Sequence, residues 1–326
     1  MKYDIRQAAQ ALISQLKAID YERLPISKYN KRYIARLKPV LSYYMKIYAD
    51  CLLKGLESIG SSPEEITLID YGGGSGFLSI LAKQAGIGRV IYIDLNPDSV
   101  DTIRILKELV NTGPDIILHG DSDTLADWCS ANKVKPQLLI ATDLIEHVYD
   151  LSAFFANLVA KMQMLFTPAS TPFNPYVKRR LHRLMTIWEK EYYALRLHYI
   201  QLHFPALSPA EAKEAARKTR GLTFPHIHKA VKTGSYPLLK DAFNTCDPRN
   251  GNWTERILPI ETYRSLAKPF GYQVRIGKGF YNTDRSNPIS TFICLGINGL
   301  IRISGKAGFL FAPFITLHLQ SDNKGR

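Results

Sequence analysis

The sequence predicts an α/β protein with a doubly wound, mostly parallel seven-stranded sheet and helices on both faces. Three observations carry this expectation. From Glu65 onward, short apolar runs alternate with stretches of helical periodicity. Those runs are apolar throughout rather than at every second residue, the pattern of strands buried on both faces. A glycine cluster stands between the first run and the helix after it, where a tight turn is needed. Right-handed crossovers between parallel strands then leave few topologies besides the doubly wound sheet.

The strands are expected at 66–71, 90–94, 116–119, 138–142 and 162–166, with helices at 76–85, 99–110, 124–132 and 151–161 between them. Ahead of the first strand, residues 1–60 read as a helical extension. In 39–60 the proline suits a first helical turn, Leu41, Tyr44, Tyr48, Cys51, Leu52 and Leu56 keep helical spacing, and Gly60 suits a stop. After Phe166 the alternation ceases. Residues 171–257 carry Leu181, Leu184, Ile187, Trp188, Tyr192 and Leu195 at helical spacing, interrupted by Pro205, Pro209, Pro225 and Pro237. This segment is expected to be a helical lid inserted after the fifth strand, with Tyr176, Trp188, Tyr192 and Tyr193 as walls of an acceptor pocket. The sheet then resumes with a helix at 260–268 and strands at 272–276 and 314–319. The expected organisation is a helical segment 1–60, a core of alternating strands and helices in 61–170, a lid 171–257 and the rest of the sheet in 258–326.

Composition is that of a globular chain: 326 residues, 46% hydrophobic, 22% charged, with a formal net charge of +13. The charge is unevenly spread. Residues 61–170 hold 7 Lys/Arg against 14 Asp/Glu, whereas all three flanking segments are net basic. Basic flanks suit an anionic partner such as phosphate, RNA or lipid headgroups, and equally suit plain solubility. No apolar run is long enough for a membrane span, and no signal peptide is visible at the N-terminus. Cys51, Cys129, Cys246 and Cys294 lie far apart without a CxxC pair, which fits a reducing, cytoplasmic setting. The stretch 290–304 reads either as an interfacial helix or as the edge of a packed β-hairpin.

The chemistry concentrates at strand ends. IDYGGGSGF places Asp70 and Tyr71 at the end of the first strand, with Gly72, Gly73, Gly74 and Gly76 before a helix. Glycine lets the chain turn sharply and lets a ligand lie against the backbone, and the helix beyond presents unsatisfied N–H groups. A dinucleotide GxGxxG is absent, because its third glycine would fall at Phe77. Asp94, followed by Leu95, ends the second strand about twenty residues on, where a carboxylate can accept both hydroxyls of a ribose or cap the next helix. The third strand ends in HGDSD, with Asp121 and Ser122, and the fourth in ATDLIEHVYD, with Asp143, Glu146 and His147.

The DxGxGxG pattern with its acidic successors resembles motif I and the following motifs of class I S-adenosylmethionine (SAM) dependent methyltransferases. The resemblance covers roughly residues 65–170 and the closing strands, and leaves 1–60 and the lid unaddressed. It implies SAM as cofactor and S-adenosyl-L-homocysteine as product, held by Asp70, Tyr71, Gly72, Gly73, Gly74, Gly76, Asp94, Leu95, Asp121, Ser122 and Asp143. In the family an acid at the position of Asp121 contacts the adenine amine; a helix cap is the competing role here. The DLIEHV stretch is similar to ubiquinone-biosynthesis O-methyltransferases, whose ExxEH sequence binds a divalent metal. This chain has Asp143 in the first position, so no metal is expected.

His147, with Asp143, is the candidate base; His147 could instead fix the loop by hydrogen bonds. The expected reaction is methyl transfer to a hydroxyl of a small or lipid- or glycan-linked acceptor, with contact to the inner membrane face compatible with the basic flanks. A methyltransferase acting on RNA or protein, and a SAM-binding protein without catalysis, are the alternatives. Other features carry less. FNPY (Asn174, Pro175, Tyr176) follows the fifth strand rather than the fourth, where amino-methylating nucleic-acid enzymes have their NPPY. His226 and His228 in PHIHK lack nearby carboxylates for a metal, and KRRLHR (178–183) reads as a solvated helix face. Neither a GxSxG elbow nor a P-loop is present.

Overall fold

The computed structural model describes residues 4–158 and 162–321. In chain order, helices α1 (Ile5–Ala18), α2 (Lys28–Leu37) and α3 (Leu41–Ile59) precede the sheet. Then follow β1 (Thr67–Tyr71), α4 (Phe77–Gln84), β2 (Arg89–Asp94), α5 (Pro97–Val110), β3 (Ile116–His119), α6 (Ser122–Ala131), β4 (Leu138–Thr142), α7 (Leu151–Asn157) and β5 (Gln163–Thr167). Three helices, α8 (Pro175–His203), α9 (Pro209–Lys218) and α10 (Phe224–Thr233), come before the sheet resumes. The chain closes with α11 (Ile260–Ala267), β6 (Tyr272–Lys278), α12 (Pro288–Ile303) and β7 (Ile315–Ser321). The end of the helix expected at 151–161 falls on residues 159–161, outside the described residues.

The seven strands run in the order β3-β2-β1-β4-β5-β7-β6. The first five pair in parallel, and β7 lies antiparallel between β5 and β6. This is the expected doubly wound, mostly parallel sheet. The order reverses between β1 and β4, so the carboxyl ends of these strands flank the crevice where such sheets bind ligands.

Strand pleating sorts the core into two layers. Leu68, Val90, Tyr92, Leu138, Ile140 and Leu165 point to the face covered by α1, α3, α4 and α5. Their neighbours Ile69, Ile91, Ile93, Leu139, Met164 and Phe166 point to the face covered by α6, α7 and α11. Both faces are apolar, which is why the strands read as continuous runs. The N-terminal segment is therefore part of one covering layer rather than an appendage: Leu12, Leu16, Met45 and Leu52 are fully buried in it.

Helices α8–α10 bury a cluster of their own, with Ile200, Ala212, Ala215, Ala216 and Ile227 at its centre. Within it Arg196 is wholly buried, its Nη2 2.6 Å from Glu189 Oε1 and its Nε donating to the Ala216 carbonyl. Glu189 also accepts from Thr245 Oγ1 at 2.6 Å. Lys178 and His182, expected on a solvated face, instead pair with Asp241 at 3.2 and 3.1 Å. One alternative for 290–304 is corrected: residues 290–303 lie within helix α12, Ser304 is its C-cap, and the segment is no hairpin edge. Pro288 at the first turn and a cap by Asn287 start a helix that Ile and Leu alone would not distinguish from a strand. All four cysteines are buried and free.

Candidate functional site

The glycine loop between β1 and α4 is built as the sequence demands. Gly72, Gly74 and Gly76 have φ of 66°, 53° and 73°, a region that favours glycine. At Gly72 a Cβ would also fall 1.8 Å from Leu144 Cδ1, so a side chain there would have to displace Leu144. Gly74 faces more open space, where a Cβ would meet only Tyr33, at 3.8 Å.

Asp70 lies beneath this loop rather than at its surface. Its Oδ2 accepts from the Ser79 N–H at 3.0 Å and the Ser79 hydroxyl at 2.7 Å. The carboxylate thus satisfies one of the orphan donors in the first turn of α4. Burial pushes its pKa up from 3.8 to about 7, with the Ser79 bonds opposing and Asp94 adding to the rise. Asp94 ends β2 and is half-buried; its Oδ2 accepts from the Gly74 N–H at 2.9 Å and its Oδ1 from the Asn96 N–H at 2.8 Å. The cap of α5 is Asn96, so Asp94 keeps lone pairs for a ligand. Tyr71, Gly72, Asp94, Leu95, Gly120 and Leu144 line a cavity of about 120 Å³. Buried Ser75 in the loop has no partner for its hydroxyl among the described residues. Asp121 caps α6, its Oδ1 accepting from the N–H groups of Asp123 and Thr124 at 3.1 and 3.2 Å. Ser122 is buried and hydrogen-bonded with the Tyr71 hydroxyl.

The second half of the site forms where β4 ends. Asp143 has φ of 54°, unusual for a residue other than glycine, and Glu255 has φ of 53°. Glu255 sits in a segment clasped to the β4 loop: the Trp253 N–H donates to the His147 carbonyl and the Arg256 N–H to the Glu146 carbonyl, both at 3.2 Å. Arg256 also donates to the carbonyls of Val148 and Tyr149 and stacks on Trp253, 4.6 Å from its ring. This clasp brings Asp143, His147 and Glu255 together, with one ligand atom of each within 4.8 Å of the others. A divalent cation would also fit that spacing.

His147 Nδ1 is 2.7 Å from the Trp253 carbonyl. A carbonyl only accepts, so Nδ1 carries the proton, and in the neutral ring Nε2 holds the free lone pair. Glu146 is fully buried; its Oε1 accepts from the Ala169 N–H at 2.6 Å and its Oε2 has no donor among the described residues. Burial first, then the charges of Asp143 and Glu255, drive its pKa well up. Enclosure by protein raises Asp143 too, against the opposing pull of His147, but Asp143 touches solvent and the push on it is weaker. Glu255 is raised by burial and by Asp143.

Residues outside the sequence expectation complete the surroundings. Tyr33 of α2 lies over Gly74, and its hydroxyl feels the charges of Asp143 and Asp94. Tyr44 and Tyr48 of α3 face Asp143 as well. The tyrosine-rich run 29–48 was the available signal. Of the expected pocket walls, Tyr176 points to solvent and Tyr193 packs in the α8–α10 cluster, while Trp188 stacks on buried Tyr192. His226 is taken up by Tyr149 and Thr223, and His228 packs on Phe204.

Fold and site together define a doubly wound α/β protein with a left-handed glycine loop and carboxylates at the carboxyl ends of its strands. No protein-family profile matches the chain. It is 31% identical over 107 residues to a ribosomal protein L11 methyltransferase of Shewanella sp. (strain W3-18-1), covering 33% of this chain and 34% of that protein. A ribosomal protein L11 methyltransferase of Burkholderia mallei (strain NCTC 10229) shares 55% identity over 38 residues, 12% of this chain and 13% of that one. The chain thus spans about a third or less of the length of these relatives. Among solved structures, a SAM dependent methyltransferase from Archaeoglobus fulgidus superposes with a TM-score of 0.37 at 14% identity, covering 85% of this chain and 98% of that one.

Proposed function

We propose that this chain binds SAM in the crevice between β1 and β4 and transfers its methyl group to a hydroxyl of a small or lipid- or glycan-linked acceptor. The observation that carries the reading is the pairing of a left-handed glycine loop with Asp94 around one cavity, beside a second cluster of proton-accepting groups. Bound SAM supplies a methyl carbon already activated by its sulfonium.

In this reading Asp94 accepts from the ribose hydroxyls while its bond to Gly74 keeps the loop in register. The loop N–H groups and the Ser75 hydroxyl meet the amino-acid end, and Asp70 holds the loop from beneath. Leu95, Gly120, Asp121 and Ser122 border the adenine, with Tyr71 supporting Ser122. The chain's contribution to rate is alignment of the acceptor with the methyl carbon, worth up to several kcal/mol, and removal of the hydroxyl proton, worth typically 10²–10⁴-fold. His147 Nε2 takes that proton. Asp143 and Glu255 flank the resulting imidazolium, where a carboxylate charge stabilises it. Tyr33, Tyr44 and Tyr48 roof the site and exclude water. No divalent metal is needed for this sequence of events.

A protein acceptor is the second reading, favoured by the match to proteins named as ribosomal protein L11 methyltransferases. That match covers a third of the chain, and the basic flanks suit such an acceptor equally. Incubation of the purified protein with methyl-labelled SAM and fractionated cell extract separates the two. Label in a lipid, glycan or small-molecule fraction supports the first, label in protein the second, and no uptake of SAM at all removes both.

A further inference from the structure

Helix α12 presents an apolar stripe that nothing among the described residues covers. Ile289, Phe292, Ile293, Leu300 and Ile303 share one side of it, and Phe292, Ile303 and Ile289 are 78%, 77% and 71% exposed. Only Cys294 and Ile301 on the opposite side are buried against the protein. Gly296 and Gly299 have open space where a side chain would stand, consistent with an outward face. The helix is firmly mounted. Asn287 caps its start, Asn298 exchanges hydrogen bonds with Tyr281 at 2.7 and 2.9 Å, and Lys278 Nζ donates to carbonyls at its end. Contiguous exposed apolar area of this kind marks an interaction surface.

The charge pattern identifies what covers it. Between Asp284 and Asp322 the sequence holds no acidic residue, while Arg285, Arg302 and Lys306 stand at the two ends of the helix and are exposed. A groove of about 1050 Å³ runs alongside, between α12 and helices α1 and α3, and adds Arg6 and Lys46 to its lining. Of the two acids in that lining, Asp50 is paired with Lys54 at 2.6 Å and Asp284 stands exposed beside Arg285. An apolar stripe flanked by Arg285, Arg302 and Lys306, which outnumber the one acid beside it, Asp284, suits the interface of an anionic bilayer, where the helix lies in the plane and the cations reach phosphates. A second copy would bring one basic surface against another in a chain of net charge +13. No helix among the described residues is long and apolar enough to cross a membrane, so α12 lies on the surface.

We propose that α12 docks the protein on anionic lipid, with its apolar stripe in the interfacial layer and Arg285, Arg302 and Lys306 at the headgroups. The inference stands apart from the acceptor's identity, since it uses none of the crevice residues. Flotation of the full chain with phosphatidylcholine vesicles, with and without phosphatidylglycerol, tests it. The protein should float with the anionic vesicles and be released by salt. Phe292→Glu and Ile303→Glu, both at solvent, should leave the thermal melt and SAM uptake unchanged and weaken flotation by about tenfold or more. Arg302→Glu with Lys306→Glu should weaken it as well and flatten its salt dependence. Absence of flotation at low salt, or flotation indifferent to Phe292→Glu, overturns the proposal. So does light scattering that finds a dimer dissociated by Phe292→Glu, which would make a second copy the cover.

Discussion

Replacing Asp94 by alanine isolates the ligand-holding end of β2 from the rest of the fold. The carboxylate accepts from the Gly74 and Asn96 N–H groups at 2.9 and 2.8 Å and is half open to the crevice. Water can replace it at those two donors, so the folded state should lose only ~1–2 kcal/mol. A bound nucleoside loses more, because two hydroxyls then lack a charged acceptor inside a closed site. Hydrogen bonds to a charged group are worth ~1.5–3 kcal/mol each, giving a loss of ~3 kcal/mol or more for the pair. At 1.4 kcal/mol per decade, SAM affinity should fall by about 100-fold or more. Asp94→Asn, which keeps one acceptor oxygen without the charge, should fall between wild type and alanine. Isothermal calorimetry with SAM and with S-adenosylhomocysteine, beside a thermal melt, measures both quantities. An alanine variant that melts normally and binds within about threefold of wild type would refute the placement of the ribose.

Three further outcomes follow from the same geometry. Asp70 has a folded pKa raised from 3.8 to about 7, so the native state holds its proton more tightly than the unfolded chain. Its contribution is present at acidic pH and is lost as pH rises from about 4 to 7, up to ~4 kcal/mol; denaturation of wild type and Asp70→Asn at both ends of that window should show a steeper fall in wild type, the remainder coming from Asp143, Glu146 and Glu255, which are also raised. Arg196→Met leaves Glu189 with the Thr245 hydroxyl and the longer contact to Arg220 at 3.5 Å, and should cost ~1.5–3 kcal/mol for the lost charged hydrogen bonds; a silent single variant in a urea titration would contradict the role of that pair. Glu255→Gln should lower kcat by about 10²-fold while leaving the SAM Kd unchanged, and exhaustive EDTA dialysis should leave turnover intact; loss of turnover restored by a divalent cation would replace the general-base reading with a metal at Asp143, His147 and Glu255.

How much of the site could be read in advance depended on sequence distance. Asp70, the glycines and Asp94 sit within one strand–turn–helix–strand unit, so their spacing alone fixes their meeting. Asp121 was legible both as a ligand contact and as a cap, and the cap is what its carboxylate makes. Glu255 was invisible, since the partners that position it lie on a loop some hundred residues earlier: His147 and Trp253 are 106 residues apart. Tyr33, Tyr44 and Tyr48 read only as helical residues, because which side of α2 and α3 meets the glycine loop depends on how those helices pack on the sheet. The aromatic walls expected from α8 failed for the same reason, as Tyr193 turned inward to a cluster that the lid builds for itself.

By itself the sequence determined the sheet. Short continuous apolar runs, regularly spaced between helical stretches and bounded by turn residues, suit strands covered on both faces, and the glycine spacing suits a tight turn after the first of them. Tertiary structure alone decided which groups confront one another across the crevice, and which side of α12 stays uncovered. Both depend on side chains brought together from distant segments by packing, and local periodicity carries no information about that.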